Sequence, residues 1–294
     1  MMTSTNLKVS NLTKVYKNGV KAIDNLNLEI GKGMFGLLGP NGAGKSSLMR
    51  TIATLQSPDS GSIEFEGIDV LQEQMELRKV LGYLPQEFGV YPRVSAEKLL
   101  DYFATLKGVS SKKDRKLLVE KALEITNLYD VRKKHVSGYS GGMKQRFGIA
   151  QLLLNNPKLI IVDEPTAGLD PAERQRFLNI LREVGTQNTV IFSTHIVEDV
   201  KELCHEMAIM NKGRILQQAT PEVATAKIRG QVWTSNISRT DLEQAQQQYQ
   251  LISSSYNRDN SINIRIQASE QPNTNFTLAE PNLEDVYFMA LQEG

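Results

Sequence analysis

Continuous apolar runs at "MFGLLG" (34–39), "LIIVDE" (159–164) and "TVIFSTH" (189–195) stand out along the chain. Strands buried on both faces read this way, because neither face meets solvent. The N-terminal stretches "LKVSNLTKVY" (7–16) and "LNLEI" (26–30) instead alternate, with turn residues "KNG" between them. They predict an antiparallel β part, which "SIEFEG" (62–67) extends as a further strand. Helical spacing of apolar residues predicts helices over 47–55, much of 73–81, and 95–130 with a break near "GVSSKKD". A helix is also expected after Asp170, a good N-cap, with Pro171 in the first helical position and Glu173 three residues on. Its apolar face would carry Phe177, Ile180, Leu181 and Val184. "MAIMNKGRILQQ" (207–218) reads as a hairpin turning at Asn211 to Arg214. Strand, helix and strand alternate through this region. The expected fold is therefore α/β with a mainly parallel sheet, and such sheets bind ligands at the carboxyl ends of their strands.

Beyond about residue 220 the texture changes. "EQAQQQYQ" is rich in glutamine, and "SSSYNRDNS" (253–261) reads as a polar loop. "INIRIQA" (262–268) alternates strictly, as a half-exposed strand does. "NLEDVYFMALQ" (282–292) predicts a helix capped by Asn282, with a stripe of Leu283, Val286, Tyr287, Ala290 and Leu291. Residues 221–294 are expected to form a small α+β accessory domain after a main domain spanning 5–220.

Composition narrows the class. The chain of 294 residues is 40% hydrophobic and 23% charged, with net charge +1. Those values suit a globular protein without a global field that would draw it to nucleic acid or an anionic surface. No apolar run approaches the ~18 residues of a membrane span. The N-terminus lacks the features of a signal peptide, so a cytoplasmic location is expected. The single cysteine, Cys204, excludes an internal disulfide and reads as a small buried hydrophobe.

Chemistry enters with "GPNGAGKS" (39–46), which fits the phosphate-loop pattern G-x-x-x-x-G-K-S/T between a buried strand and a helix. Gly39, Pro40, Asn41, Gly42, Ala43, Gly44, Lys45, Ser46 and Ser47 are the candidate residues for wrapping a nucleotide's phosphates. Backbone N–H groups and the helix dipole favour the anion there. Lys45 would reach the β and γ phosphates, and Ser46 would ligate Mg²⁺. Asp163, at the end of its apolar strand, is a second Mg²⁺ ligand. Glu164 turns the opposite way if the strand continues, and would orient an attacking water. A second loop, "GYSGGMKQ" (138–145), also opens onto a helix and also suits an anion.

Taken in order, "GPNGAGKS", "YSGGM", "LIIVDEP", "GLD" and "STH" resemble the nucleotide-binding subunits of ATP-binding cassette (ABC) transporters over roughly residues 5–220. The resemblance implies a P-loop core with a helical subdomain at about 88–155. It further implies that Tyr16 stacks on adenine and that Gln86 senses Mg²⁺ and the attacking water beside the membrane partner. Ser140, Gly141 and Gly142 match the signature loop, Asp170 an aspartate loop across the dimer interface, and His195 the switch histidine at the γ-phosphate. Tyr139 and Met143 depart from the commonest signature, L-S-G-G-Q. Such variants, and "PNLEDVYFMAL" near the C-terminus, are similar to ATPase subunits of bacterial exporters.

The resemblance also explains the second loop. The chain has parts for one nucleotide but two anion-binding helix ends, so a second copy would complete each site with its signature loop. ATP and Mg²⁺ are the expected cofactor set. A second copy and a separate transmembrane permease are the expected partners, with the chain peripheral on the inner face of the cell membrane and no nucleic acid bound. A cytosolic ABC-type ATPase without a permease and a small-molecule P-loop kinase are the alternatives; the signature loop and switch histidine have no task in the latter.

Overall fold

The computed structural model describes residues 5–86, 89, 93–154 and 156–293. The expected limits of the helical subdomain, 88 and 155, lie outside the described residues. The chain opens with β1 (Thr5–Val15) and β2 (Lys21–Gly31), paired antiparallel. β3 (Gly33–Leu38) runs through the glycine loop into α1 (Lys45–Ile52). β4 (Ser60–Phe65) returns to pair with β1, and the short β5 (Ile68–Asp69) follows. α2 (Gln74–Val80) and β6 (Leu81–Leu84) lead to a helical layer of α3 (Ala96–Leu106), α4 (Lys112–Ile125) and α5 (Gly141–Leu153). Then come β7 (Leu159–Asp163), α6 (Pro171–Gly185), β8 (Thr189–Thr194), α7 (Val197–Leu203) and the hairpin β9 (Glu206–Asn211)–β10 (Arg214–Ala219). The tail comprises α8 (Pro221–Lys227), β11 (Val232–Ile237), α9 (Leu242–Gln248), β12 (Gln250–Tyr256), β13 (Ile262–Gln267), β14 (Thr277–Leu278) and α10 (Leu283–Glu293).

The central sheet has the order β10-β9-β3-β8-β7-β6 and is parallel except at β10. The period-2 alternation of its apolar strands is read by two different cores. Phe35, Leu37, Leu159, Ile161 and Ile191 face the antiparallel sheet β2-β1-β4-β5 and α1. Met34, Leu38, Ile160, Val162, Val190 and Phe192 face α6 and α7. Both faces are covered, which is why these runs contain no polar alternation. α6 follows its predicted cap: Asp170 Oδ1 accepts from Glu173 N at 2.9 Å, and Phe177, Ile180, Leu181 and Val184 are buried.

Some expectations shift. The helix expected at 47–55 begins at Lys45, because Gly44 serves as a left-handed N-cap and leaves Lys45 in the first helical position. The stretch 253–261, expected as a polar loop, supplies Ser253–Tyr256 to β12. β12 is an edge strand: Ile252 points inward while Ser254, Ser255 and Tyr256 lie exposed, so its polarity reflects its outer face.

The tail sheet, β12-β13-β11-β14, encloses Ile262, Ile264, Ile266 and Phe276. α10 then folds back. Its Leu283, Val286, Tyr287 and Ala290 belong to the same core as Phe177 and Val200. Arg265 of β13 binds Asp285 of α10 through two bonds of 2.8 and 2.6 Å, tying the tail sheet to this helix. Asn282 and Asp285 exchange reciprocal capping bonds of 2.9 and 2.8 Å at its start.

Candidate functional site

The glycine loop lies at the carboxyl end of β3. Gly44 has φ of 105°, a conformation that disfavours any side chain, and a Cβ there would collide with the Ala22 carbonyl of β2. The loop therefore packs backbone to backbone against β2, and α1 starts without a side-chain cap. Its first N–H groups point into the loop. Lys45 is buried, which a cation tolerates only when its donors are met. Its Nζ donates to the carbonyls of Gly39 (2.7 Å) and Pro40 (3.1 Å) and lies 3.1 Å from Glu164 Oε1.

Asp163 and Glu164 come from the end of β7. Parallel pairing sets Asp163 opposite Ser193 of β8, whose hydroxyl donates to Asp163 Oδ1 at 2.5 Å. The strand stops at Asp163, so the expected simple alternation does not reach Glu164. Glu164 takes φ of 45°, in the left-handed region, and its N–H is held 3.1 Å from both the Ser193 carbonyl and hydroxyl. That strained turn aims the carboxylate back at Lys45. The other oxygen, Oε2, lies 3.3 Å from Nδ1 of His195, just past β8. Glu164 thus sits between the Lys45 ammonium and the His195 imidazole, which come from different loops. Burial, and then the Asp163 carboxylate, push the neighbouring Tyr83 phenol up to about 12.

Lys45 and Glu164 border a cleft of about 500 Å³ lined also by Tyr16, Asn41, Gly42, Ala43, Gly44, Ser46, Ser47 and Gln86; Gly39, Pro40, Asp163 and His195 lie outside this lining. Tyr16 is half-buried; its hydroxyl donates to Gln56 Oε1 (3.1 Å) and shares a hydrogen bond with Ser47 Oγ (3.0 Å). Val20, Lys21, Ala22 and Lys212 complete the wall. They carry no motif and were not anticipated. Nor was Ser193, although it sits inside "STH"; its part emerges only from the β7–β8 register.

Ser140, Gly141, Gly142 and Asp170 do not line this cleft. Ser140 caps α5, its hydroxyl accepting from Met143 N at 3.2 Å, and both Ser140 and Gly141 are exposed. Gly142 is buried, and a Cβ there would strike the Glu173 side chain of α6. The two unusual signature residues have structural explanations. Tyr139 is buried in the helical layer, edge-on to Phe147, with its hydroxyl donating to the Val131 carbonyl at 3.0 Å. Met143 packs against the same cluster. Neither side chain competes for the exposed face of Ser140 and Gly141.

Comparison with known proteins is consistent with this geometry. The family described as ABC transporter matches residues 23–167. The ABC transporter ATP-binding protein YxlF of Bacillus subtilis is 38% identical over 71% of this chain and 69% of its own length. The daunorubicin resistance ATP-binding protein DrrA3 of Streptomyces coeruleorubidus is 34% identical over 78% and 72% of the two chains. The methionine import ATP-binding protein MetN 1 of Oenococcus oeni is 36% identical over 72% and 63%. Among solved structures, cbiO1 from Clostridium perfringens, part of the ABC transporter complex cbiONQ, superposes with a TM-score of 0.70 at 28% identity, over 76% of this chain and 91% of its own. The dimeric post-hydrolysis state of the ATP-binding cassette MJ0796, bound to ADP and Pi, gives 0.66 at 26% identity, over 73% and 98%.

Proposed function

The chain belongs to the ATP-binding proteins of ABC transporters, subunits that bind and hydrolyse ATP, and from that premise we propose how its residues do so. The observation that carries the proposal is the 3.1 Å contact between Lys45 Nζ and Glu164 Oε1 at the mouth of the glycine loop. It supports a reading in which Lys45 is the phosphate-binding cation and Glu164 the water-orienting carboxylate. Tyr16 offers a ring to adenine at the cleft's edge. Backbone N–H groups of residues 42–47 and the start of α1 receive the phosphates. The γ-phosphate draws Lys45 and His195 towards itself, because a multiply charged phosphate outcompetes one carboxylate for both. Glu164 is thereby released to orient a water. The water oxygen attacks the γ-phosphorus as its proton moves to Glu164, and the bond to ADP breaks.

Ser46, Asp163 and Gln86 present hydroxyl, carboxylate and amide oxygens, a hard-donor set that fits Mg²⁺. Among the described residues no cluster of His, Cys, Asp or Glu would hold a metal alone, so nucleotide phosphates and water would supply the remaining ligands. When bound, Mg²⁺ neutralises charge on the β and γ phosphates.

The exposed signature loop, outside the chain's own cleft, supports a dimer in which Ser140, Gly141 and Gly142 of one copy close the nucleotide site of the other, with Asp170 between the copies. Closure on ATP and opening after hydrolysis then convert nucleotide state into rigid-body motion. No described helix is long and apolar enough to cross a membrane. A separate permease is the proposed spanning partner, on the likeness to cbiO1 of the cbiONQ complex. A cleft of about 590 Å³ between α3 and α4, bordered by Arg93, Lys98 and His135, supports docking of that partner on the helical layer. Export is the proposed direction, on the signature variant and the drug-resistance relative. Glu164→Gln tests the core of the account. Hydrolysis should fall by about 10²–10⁴-fold while ATP binding persists and gel filtration shows an ATP-dependent dimer. A variant that still hydrolyses, or stays monomeric with ATP, contradicts it.

A further inference from the structure

Asp199, in the first turn of α7, is fully buried, an unusual place for a carboxylate unless it is paired. Its Oδ2 accepts from the Thr166 hydroxyl at 2.7 Å, and its Oδ1 lies 2.6 Å from Arg174 Nε. Each partner belongs to a different segment. Thr166 lies two residues after Glu164, in the loop that continues to Asp170. Arg174 is on α6, in the turn that Asp170 caps. Asp199 is four residues after His195, on the helix that His195 leads into. One carboxylate therefore ties together the segments bearing Glu164, Asp170 and His195. It does not line the nucleotide cleft. α7 is itself fixed from outside, since α10 packs against it.

The tie matters because Glu164 is not held by regular strand pairing. Its backbone is in the left-handed region; its N–H is held by Ser193, and among the described bonds its carbonyl accepts only from Ala167 N within the same loop. Thr166 is the next side chain in that loop with a buried anchor. The Ser193 bonds reach only the strand before His195, and the direct 3.3 Å contact with His195 is the one the γ-phosphate is proposed to break; the Thr166–Asp199 bond reaches the helix that follows His195. We infer that Asp199 is a positioning residue for hydrolysis: through Thr166 and Arg174 it holds Glu164 in register with His195 and Asp170 once nucleotide has entered. The inference rests on the ATPase reading above.

The test compares Asp199→Asn, Asp199→Glu and Thr166→Val with the unaltered chain at a temperature where melting curves show each fully folded. Asp199→Asn removes the charge facing Arg174, and Thr166→Val removes the hydroxyl while keeping the shape. For Asp199→Asn, kcat should fall by roughly 10–100-fold with KM for ATP within about twofold, since small misplacements of a catalytic group cost that much. Asp199→Glu should restore part of the loss. If Asp199→Asn does not fold, Thr166→Val carries the test and should lower kcat in the same KM-neutral way. Unchanged kcat in a folded Asp199→Asn or Thr166→Val variant, with only a lower Tm, makes the cluster a mere brace and overturns the inference. Lys45→Ala is run beside these. If the unaltered chain shows no Lys45-dependent hydrolysis, the ATPase reading fails and takes this one with it.

Discussion

The glycine loop at 39–46 and the signature loop at 138–142 use the same local grammar, small residues opening directly onto a helix, and the fold makes opposite things of them. The first is concave. Gly44 is pressed against the Ala22 carbonyl, Lys45 is buried among carbonyls and Glu164, and the loop shares its cleft with Tyr16, Gln86 and Glu164. The second is bare. Ser140 and Gly141 are exposed, and Ser140 spends its hydroxyl on its own helix. A helix terminus supplies partial positive charge in both places, but only what packs around it decides whether one chain holds the anion alone. The first loop is shaped as a site; the second we propose to be half of one.

This contrast can be broken at several points. Lys45→Ala removes the only side-chain cation buried in the glycine loop, and ATP affinity should drop by roughly 10²–10³-fold, measured by nucleotide titration, with hydrolysis lost as well. Ser140→Arg should leave ATP binding to the isolated chain within about twofold, because Ser140 is outside the cleft, and still remove hydrolysis. Normal hydrolysis by that variant would contradict the shared-site account. The smallest effects separate adjacent glycines. Gly142→Ala meets Glu173 and should cost about 1–3 kcal/mol in a denaturant melt. Gly141→Ala has open space and should stay within about 0.5 kcal/mol.

Much of this contrast was legible in the sequence. The buried runs at 34–39, 159–164 and 189–195 became β3, β7 and β8, because a strand covered on both faces leaves an unmistakable apolar record. The Asp170 cap and the face of α6 were likewise local signals. Glu164 was harder. Its residue type was readable, but its left-handed turn is set by Ser193 on another strand, and no local pattern encodes it. Thr166, Arg174 and Asp199 are ordinary residues whose meaning comes from meeting across more than thirty positions. Tyr139 shows the reverse case: a departure from the motif that looked functional is a core residue of the helical layer, held by Phe147 and the Val131 carbonyl. The tail was misjudged at 253–256 because an edge strand with one exposed face resembles a loop.

The central claim is that the signature loop of one copy completes the glycine-loop site of another. Mixing two inactive chains tests it most directly: Lys45→Ala, with an intact signature loop, and Ser140→Arg, with an intact glycine loop. Free mixing makes about half of the dimers mixed, each with one intact composite site, so ATPase activity should return to about a quarter of the unaltered level. If the mixture stays as inactive as its components while mixed dimers form, each chain's site does not depend on the other's signature loop, and the account is wrong.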